Sequence, residues 1–188
     1  VYTLRFIEDS NGNRVTLDYK AGDTDATTLD RVTNASGYTI DFTYRRVASE
    51  PRIVKLSADV GDPDLGVTVD YAYDTLGNLT VVTRTSPYTG FGLNDVRINR
   101  YSYTTDNPED PHNLRSVTDP DGNVTEYVYY APADAMAGYT VDFQIAKHEF
   151  IKEIRQPEGV TTRFVYTISM NPAAPNQRLV SDPRPGVP

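Results

Sequence analysis

Two histidines and two acidic clusters are the residues whose types could bind a metal or move a proton. His112 lies in a loop rich in Asp and Pro, and His148 lies beside a predicted strand. Clustered carboxylates suit hard cations such as Ca²⁺, but the clusters lack the EF-hand spacing, and the histidines lack a zinc-ligand spacing. We therefore interpret all of them as exposed loop and turn residues and predict no metal site. The clusters are Asp23/Asp25 and Asp59/Asp62/Asp64.

Nucleophilic and phosphate-binding patterns are absent from the sequence. Its serines do not occur in a nucleophile-elbow context, and no two of its carboxylates are distinguished as an acid–base pair. The glycines are spaced one to a turn, which is not a phosphate-binding loop. The chain has no cysteine, which excludes thiol chemistry. We predict no catalytic residue, no cofactor and no enzymatic activity.

The dominant pattern is a glycine followed five residues later by Leu, Phe or Tyr and seven residues later by Tyr. An aliphatic pair spaced by three residues precedes each glycine. The units are Gly12 with Leu17 and Tyr19, Gly37 with Phe42 and Tyr44, Gly66 with Tyr71 and Tyr73, Gly122 with Tyr127 and Tyr129, and Gly159 with Phe164 and Tyr166. A further pair, Tyr101 and Tyr103, follows Gly90 at a longer distance. The aliphatic pairs are Leu4/Ile7, Leu29/Val32, Ile53/Leu56, Leu79/Val82, Leu114/Val117 and Ile151/Ile154.

These units predict β-hairpins. Apolar residues alternate with polar ones after each glycine, as in a half-buried strand, and the glycine stands where a turn requires positive φ. We therefore expect an all-β fold: an array of antiparallel hairpins forming a continuous curved or spiralling sheet, with tyrosines stacked as cross-strand pairs. Residues 1–188 would form one array of about six to seven units. Residues 131–138 are predicted to be a loop or a single helical turn. Gly37→Val should lower the melting temperature.

Composition limits the partners. The net charge is −8 and the basic residues are scattered, so no nucleic-acid surface is predicted. No run of eighteen apolar residues is present, so we predict no membrane insertion. The chain starts without Met and ends in what resembles half a unit, which indicates a segment of a longer protein.

Residues 117–129 (VTDPDGNVTEYVY) and 71–79 (YAYDTLGNL) resemble the RHS/YD-repeat family, whose units combine V-T-D-P-x-G, Y-x-Y-D and G-x-L. The resemblance covers nearly the whole chain, although only Tyr73 is followed by Asp. It implies a non-enzymatic scaffold of a secreted or cell-surface protein, which contributes sheet wall to a shell or surface structure. It also implies an extracellular or cell-surface location and further repeats of the same or neighbouring chains as partners, with an enclosed toxin cargo as an open option.

Two alternatives stay open. The array could be the subunit of an extracellular fibre that is completed by edge-strand pairing. Its tyrosines could instead stack on sugar rings, which would make it a carbohydrate-binding module. Three sequons, at Asn34, Asn78 and Asn123, would be glycosylation sites only in an exported chain.

Overall fold

The computed structural model describes residues 3–20, 28–62, 65–88, 93–104, 111–130, 150–165, 168–170, 178–180 and 184–185. The chain divides into two compact units, Val1–Arg100 and Tyr101–Pro188. The described residues form antiparallel β-strands and one short 3₁₀ turn, Pro157–Gly159. The prediction of an all-β array of antiparallel hairpins is confirmed.

In the first unit each strand pairs with the next strand of the chain, from β1 to β8. The strands are β1 (Phe6–Glu8), β2 (Arg14–Tyr19), β3 (Leu29–Thr33), β4 (Thr39–Val47), β5 (Glu50–Asp59), β6 (Val67–Tyr73), β7 (Leu79–Tyr88) and β8 (Leu93–Tyr103). Strand β8 runs past the division between the units. Pairing of neighbours in sequence is the pattern expected of successive hairpins.

The second unit continues in the same manner. Strands β9, β10, β11 and β12 pair in chain order, β15 pairs with β12, and β13 pairs with β14 as a separate ribbon. The strands are β9 (Leu114–Thr118), β10 (Val124–Tyr129), β11 (Ile151–Arg155), β12 (Thr161–Val165), β13 (Ile168–Met170), β14 (Arg178–Val180) and β15 (Arg184–Pro185). The predicted loop at residues 131–138 lies outside the described residues.

Neither unit has a deep core in its described part. Only Tyr130 and Asn78 are buried there, with 9% and 6% of their surfaces exposed, and the motif aromatics are half-buried. A sheet of three or more strands with one apolar face can be stable without a second layer if neighbouring strands cover one another's side chains. The contacts between adjacent strands must therefore supply most of the stability.

The turn glycines only partly match the prediction. Gly12, Gly37, Gly122 and Gly159 have positive φ, between 82° and 88°. The prediction was wrong for Gly66, which has no positive φ and lies against β5, where an added Cβ would be 3.3 Å from the carbonyl oxygen of Ala58. Among the described residues of that connection, positive φ occurs at Gly61, at 77°. Because Gly66 has no side chain, its backbone can lie close to the backbone of β5.

Candidate functional site

The aromatic pairs and the aliphatic pairs meet in one recurring register, which we call the aromatic–aliphatic ladder. In four places a motif pair on one strand faces the aliphatic pair of the following strand. The four facing sets are Leu17/Tyr19 with Val32/Leu29, Phe42/Tyr44 with Leu56/Ile53, Tyr71/Tyr73 with Val82/Leu79, and Tyr127/Tyr129 with Ile154/Ile151. The leading residue of the first set is Leu17, where the other sets have an aromatic ring.

A β-bulge accompanies every one of these four sets. The aromatics are two residues apart and the aliphatics are three apart, so the aliphatic strand must carry one extra residue that stands opposite no residue of the aromatic strand. The register shifts at the second tyrosine of each set and leaves Asp30, Val54, Thr80 and Lys152 as the extra residues. The mismatch between the two spacings is visible in the sequence and would have predicted the bulge.

The prediction that tyrosine stacks on tyrosine across neighbouring strands was wrong for these sets. Direct partners across the strands are aromatic and aliphatic residues, not two aromatic residues, as in the pairs Tyr71↔Val82 and Tyr127↔Ile154. Aromatic and branched aliphatic side chains are a favourable cross-strand combination, at roughly 0.2–1 kcal/mol for each pair. The tyrosines of these four sets lie on strands β2, β4, β6 and β10.

In three of the sets the second tyrosine also reaches the segment of chain that lies on the other side of its strand. The hydroxyls of Tyr19, Tyr73 and Tyr129 donate to the carbonyl oxygens of Leu4, Ile53 and Leu114, at 3.0, 2.8 and 3.0 Å. Each acceptor is the first residue of an aliphatic pair. Burial raises the pKa of Tyr73 above its ordinary value, although Arg52 acts in the opposite direction. One tyrosine therefore joins three successive strands.

The opposite face of the strands is polar and carries ion pairs. Five of the ion pairs join residues that face each other directly across two strands: Glu8–Arg14, Arg31–Asp41, Lys55–Asp70, Glu126–Arg155 and Glu153–Arg163. Asp41, mainly through its hydrogen bond, raises the pKa of Arg31. Exposed pairs stabilise by about 0–1 kcal/mol each, so their main effect is to favour the observed register over a shifted one.

An aspartate closes three of the hairpin turns in the same manner, an arrangement we call the aspartate clamp. At Asp119, Oδ1 accepts from the backbone N–H groups of Asp121 and Asn123, at 2.9 and 2.8 Å. Oδ2 accepts from the Asn123 side-chain amide at 2.8 Å. Asp9 with Asn13 and Asp74 with Asn78 repeat all three bonds.

A fourth turn uses Asn34 as the acceptor for two backbone N–H groups, those of Ser36 and Tyr38. In all four turns the glycine three residues later donates to the backbone carbonyl of the clamp residue. The spacing D/N-x-x-G is present in the sequence and would have identified these turns, including the one at Gly77 that the prediction missed. The Asp of the Y-x-Y-D pattern, Asp74, is therefore a turn acceptor.

Acid should weaken the aspartate clamps. Hydrogen bonds from Asn123, chiefly its side chain, outweigh desolvation and lower the pKa of Asp119 below its ordinary 3.8. A carboxylate whose pKa is lowered by folding stabilises the fold above its unfolded-state pKa, and this contribution is lost as the pH falls through the folded-state value. The side chain of Asn13 lowers the pKa of Asp9 in the same manner. We expect the free energy of unfolding to fall between about pH 5 and pH 2.

Asp119→Asn isolates this effect, because Asn34 shows that an amide oxygen can hold the turn. Urea denaturation at pH 6.5 and at pH 3 should show a smaller loss on acidification in Asp119→Asn than in the unsubstituted chain. Asp119→Ala should lose stability already at pH 6.5. Identical losses on acidification in Asp119→Asn and the unsubstituted chain would contradict the assignment.

Tyr130 is a buried residue that the repeat pattern did not single out. Its hydroxyl donates to the carbonyl oxygen of Phe164 at 2.8 Å, and its backbone N–H donates to Phe150. The ammonium of Lys152 lies 5.7 Å from the centre of its ring. The side chain thus extends from the end of β10 past β11 to β12. Its position directly after the Tyr127/Tyr129 pair was the available sequence signal.

The other predicted aromatic positions lie on β8 and β12 or outside the described residues. Tyr101 and Tyr103 are half-buried on β8, and between them Ser102 contacts Ser116 of β9 through their hydroxyls at 2.6 Å. Phe164 is half-buried on β12, whereas Tyr166 lies outside the described residues. In the part of the chain that the structure describes, no three His, Asp or Glu side chains are grouped to hold a metal.

Three of the candidate metal-binding residues are exposed: Asp59, Asp62 and His112. The other four lie outside the described residues: Asp23, Asp25, Asp64 and His148. Of the three sequons, Asn78 is buried, and its side-chain amide donates to Asp74 in the folded chain. Among the described residues no helix is long and apolar enough to cross a bilayer.

Comparison with known proteins gives no assignment. No model of a protein family matches the chain, and a search of curated proteins finds no match.

Proposed function

We propose that this chain is a non-enzymatic scaffold segment of an RHS/YD-repeat protein, secreted or at the cell surface, where it contributes β-sheet wall to a shell or surface structure. The observation that carries the proposal is the fourfold recurrence of the aromatic–aliphatic ladder with its bulge at the same position. Residues that recur in one structural role in unit after unit are what a scaffold requires. An active site would instead distinguish a few residues from the rest.

The partners in this proposal are further repeats of the same or neighbouring chains, and an enclosed toxin polypeptide in a shell. The resemblance of the Asp119 turn and of the Tyr71/Tyr73 segment to YD repeats supports this choice. The ladder adds a physical reason, because the same kind of interface between neighbouring strands recurs in four places.

Immunogold microscopy on intact producing cells, together with blotting of the culture medium, tests the location. An antibody against the 188-residue chain should label the cell surface or detect the protein in the medium. Treatment of intact cells with protease should remove the surface label, and a cytoplasmic marker protein serves as the lysis control. Label confined to the cytoplasm would contradict the proposal.

A self-assembling fibre is the second candidate, and two exposed apolar residues in and next to strand β1 favour it. Leu4 and Ile7 are 55% and 58% exposed. Negative-stain microscopy of the purified chain should show filaments if this function is correct and dispersed particles if it is not. Carbohydrate binding is less favoured, since the hydroxyls of Tyr19, Tyr73 and Tyr129 already donate to carbonyl oxygens. A glycan array without signal would exclude it.

A further inference from the structure

The hairpin formed by β4 and β5 extends past its neighbouring strands at its closed end, which we call the hairpin tip (residues 45–52). Among the described residues, β3 pairs with β4 only as far as Asp41, and β6 pairs with β5 only from Lys55. Within that part of the chain, the strand residues of the tip pair with each other alone. The tip is a local positive region in a chain whose net charge is −8. It carries three exposed arginines, Arg45, Arg46 and Arg52.

Two of these arginines, Arg45 and Arg52, face each other directly across the two strands. The Cβ atoms of such partners lie about 4.5–5.5 Å apart, and like charges in this position are destabilising. Arg45 shares the polar face with Asp41, because side chains four residues apart on a strand point the same way. On that face Asp41 pairs with a residue of opposite charge, Arg31. The Arg45–Arg52 register therefore departs from the charge pairing that the five cross-strand ion pairs of this face follow.

Within the described residues, no carboxylate forms an ion pair with either arginine. Glu50 lies on the same face of the tip, two residues from Arg52, but outside ion-pair distance. Nη2 of Arg52 lies 3.8 Å from the position of a Cβ added to Gly77 in the adjacent turn. The carboxylate of that turn, Asp74, already accepts three hydrogen bonds within the turn. The positive charges of Arg45 and Arg52 are therefore not neutralised by these neighbours.

A second pair of arginines in the first unit, Arg84 and Arg97, provides the contrast. These residues also face each other directly, on β7 and β8. There the Asp95 carboxylate accepts a hydrogen bond from Nε of Arg97 at 3.0 Å, so one of the two charges is paired. At the hairpin tip, in the part of the chain that the structure describes, both charges lack a counterion.

The turn at the hairpin tip is strained as well. Ala48 and Ser49 have positive φ values, 47° and 72°. Two-residue hairpin turns with this conformation favour asparagine and glycine, because a Cβ is unfavourable there. Nη1 of Arg46 donates to the carbonyl oxygen of Ser49 at 3.2 Å and supports the turn. Two features that reduce stability thus coincide at the tip, and strained backbone of this kind is concentrated at functional sites.

We propose that Arg45 and Arg52 bind a phosphomonoester group at the hairpin tip. Arginine donates paired hydrogen bonds to phosphate oxygens, and a phosphomonoester presents three such oxygens with a charge of about −1.5 to −2 at pH 7. It therefore neutralises both guanidinium groups and removes their repulsion. A carboxylate has one charge and two oxygens, which satisfy a single arginine. A long polyanion is disfavoured, because the acidic chain as a whole repels it. The site is independent of the ladder, whose residues Tyr44 and Ile53 lie on the opposite face.

Titration of the full chain with phenyl phosphate at constant ionic strength, followed by NMR of the arginine Nε–H and backbone amide groups, tests the proposal. We expect saturable shifts at Arg45 and Arg52. Arg45→Gln combined with Arg52→Gln should weaken binding about tenfold or more, which corresponds to about 1.4 kcal/mol. Benzoate keeps the ring but carries a single carboxylate, and it should bind the parent chain about tenfold more weakly than phenyl phosphate or worse.

The matched control combines Arg84→Gln with Arg100→Gln, which removes the same charge from two exposed arginines of β7 and β8. This control should bind phenyl phosphate as the parent chain does. Urea denaturation gives a second readout. Without ligand, Arg45→Gln should be at least as stable as the parent chain, because it removes a repulsion. Saturating phenyl phosphate should raise the urea midpoint of the parent chain and of the control, but not that of the Arg45/Arg52 double variant.

Three results would contradict the proposal. Equal binding by the Arg45/Arg52 double variant and the parent chain would overturn it, as would equal shifts at arginines throughout the chain. Benzoate binding as tight as that of phenyl phosphate would reject the phosphomonoester as the ligand. A marked loss of stability in ligand-free Arg45→Gln would show that this arginine stabilises the fold, and the argument from unfavourable charge pairing would then fail.

Discussion

Replacing Tyr130 by alanine should lower the free energy of unfolding by about 3–5 kcal/mol, the range for removing a large buried aromatic side chain. Tyr130 is the one apolar side chain in the described residues with as little as 9% exposure. Its hydroxyl also joins the end of β10 to the carbonyl of Phe164 on β12. Because the described residues of the second unit form no deep core, none of those residues is placed to compensate for this loss.

Urea denaturation of the full chain measures this effect, and Tyr130→Phe separates the ring from the hydroxyl. Loss of the hydrogen bond alone should cost about 0.5–1.5 kcal/mol. Amide exchange should accelerate first in β11 and β12, the strands that the side chain reaches. A loss below about 1 kcal/mol in Tyr130→Ala would show that its burial contributes little to stability.

Gly77→Val should destabilise the chain by about 3–5 kcal/mol, because two costs add at one residue. Gly77 has a φ of 91°, where a residue with a Cβ is strained by about 1–2 kcal/mol and a β-branched one by more. Its added Cβ would also lie 3.3 Å from the Cβ of Ala48 in the adjacent turn between β4 and β5. Overpacking of that kind costs typically about 1–3 kcal/mol.

Gly37→Val is the matched control for the contact. Gly37 occupies the same kind of turn, with a φ of 83°, but nothing lies within 4 Å of its added Cβ. It should lose about 2 kcal/mol, from backbone strain alone. Thermal and urea denaturation of both variants give the difference. Equal losses in the two variants would mean that the turn at Ala48 shifts away from the valine side chain without a cost in stability. An unchanged stability of Gly37→Val would contradict the turn assignment.

The architecture could be predicted from the sequence because period-two alternation and turn glycines are local signals. The strand positions of Tyr71 and Tyr127 follow directly from them. The partners of those tyrosines did not follow, because the register depends on two segments and on the bulge between them. The comparison of a two-residue spacing in Tyr71/Tyr73 with a three-residue spacing in Leu79/Val82 was needed to predict it.

Gly66 and Tyr130 show why a repeat alignment fails at particular residues. Gly66 has the right distance to Tyr71 and Tyr73, yet its φ is not positive, and the turn that follows those tyrosines is closed by Asp74 and Gly77. The position after the second tyrosine is a turn acceptor at Asp74 and a buried ring at Tyr130. One repeat position thus has two physical roles, and these are set by the connection that follows it.

The recurring interface determines which changes in length the chain can tolerate. Since the same bulged interface joins the motif pair to the aliphatic pair in all four of these sets, the end of any one of these units is compatible with the start of any other. Unequal recombination that adds or removes whole units would join strands that already fit. Deletion of Asp30, Val54, Thr80 or Lys152 would remove the bulge and leave the pairing of the later residues unchanged, whereas deletion of a residue elsewhere in a strand, such as Thr83, would turn every later side chain of that strand to the wrong face. Length should therefore vary by whole units far more easily than by single paired residues.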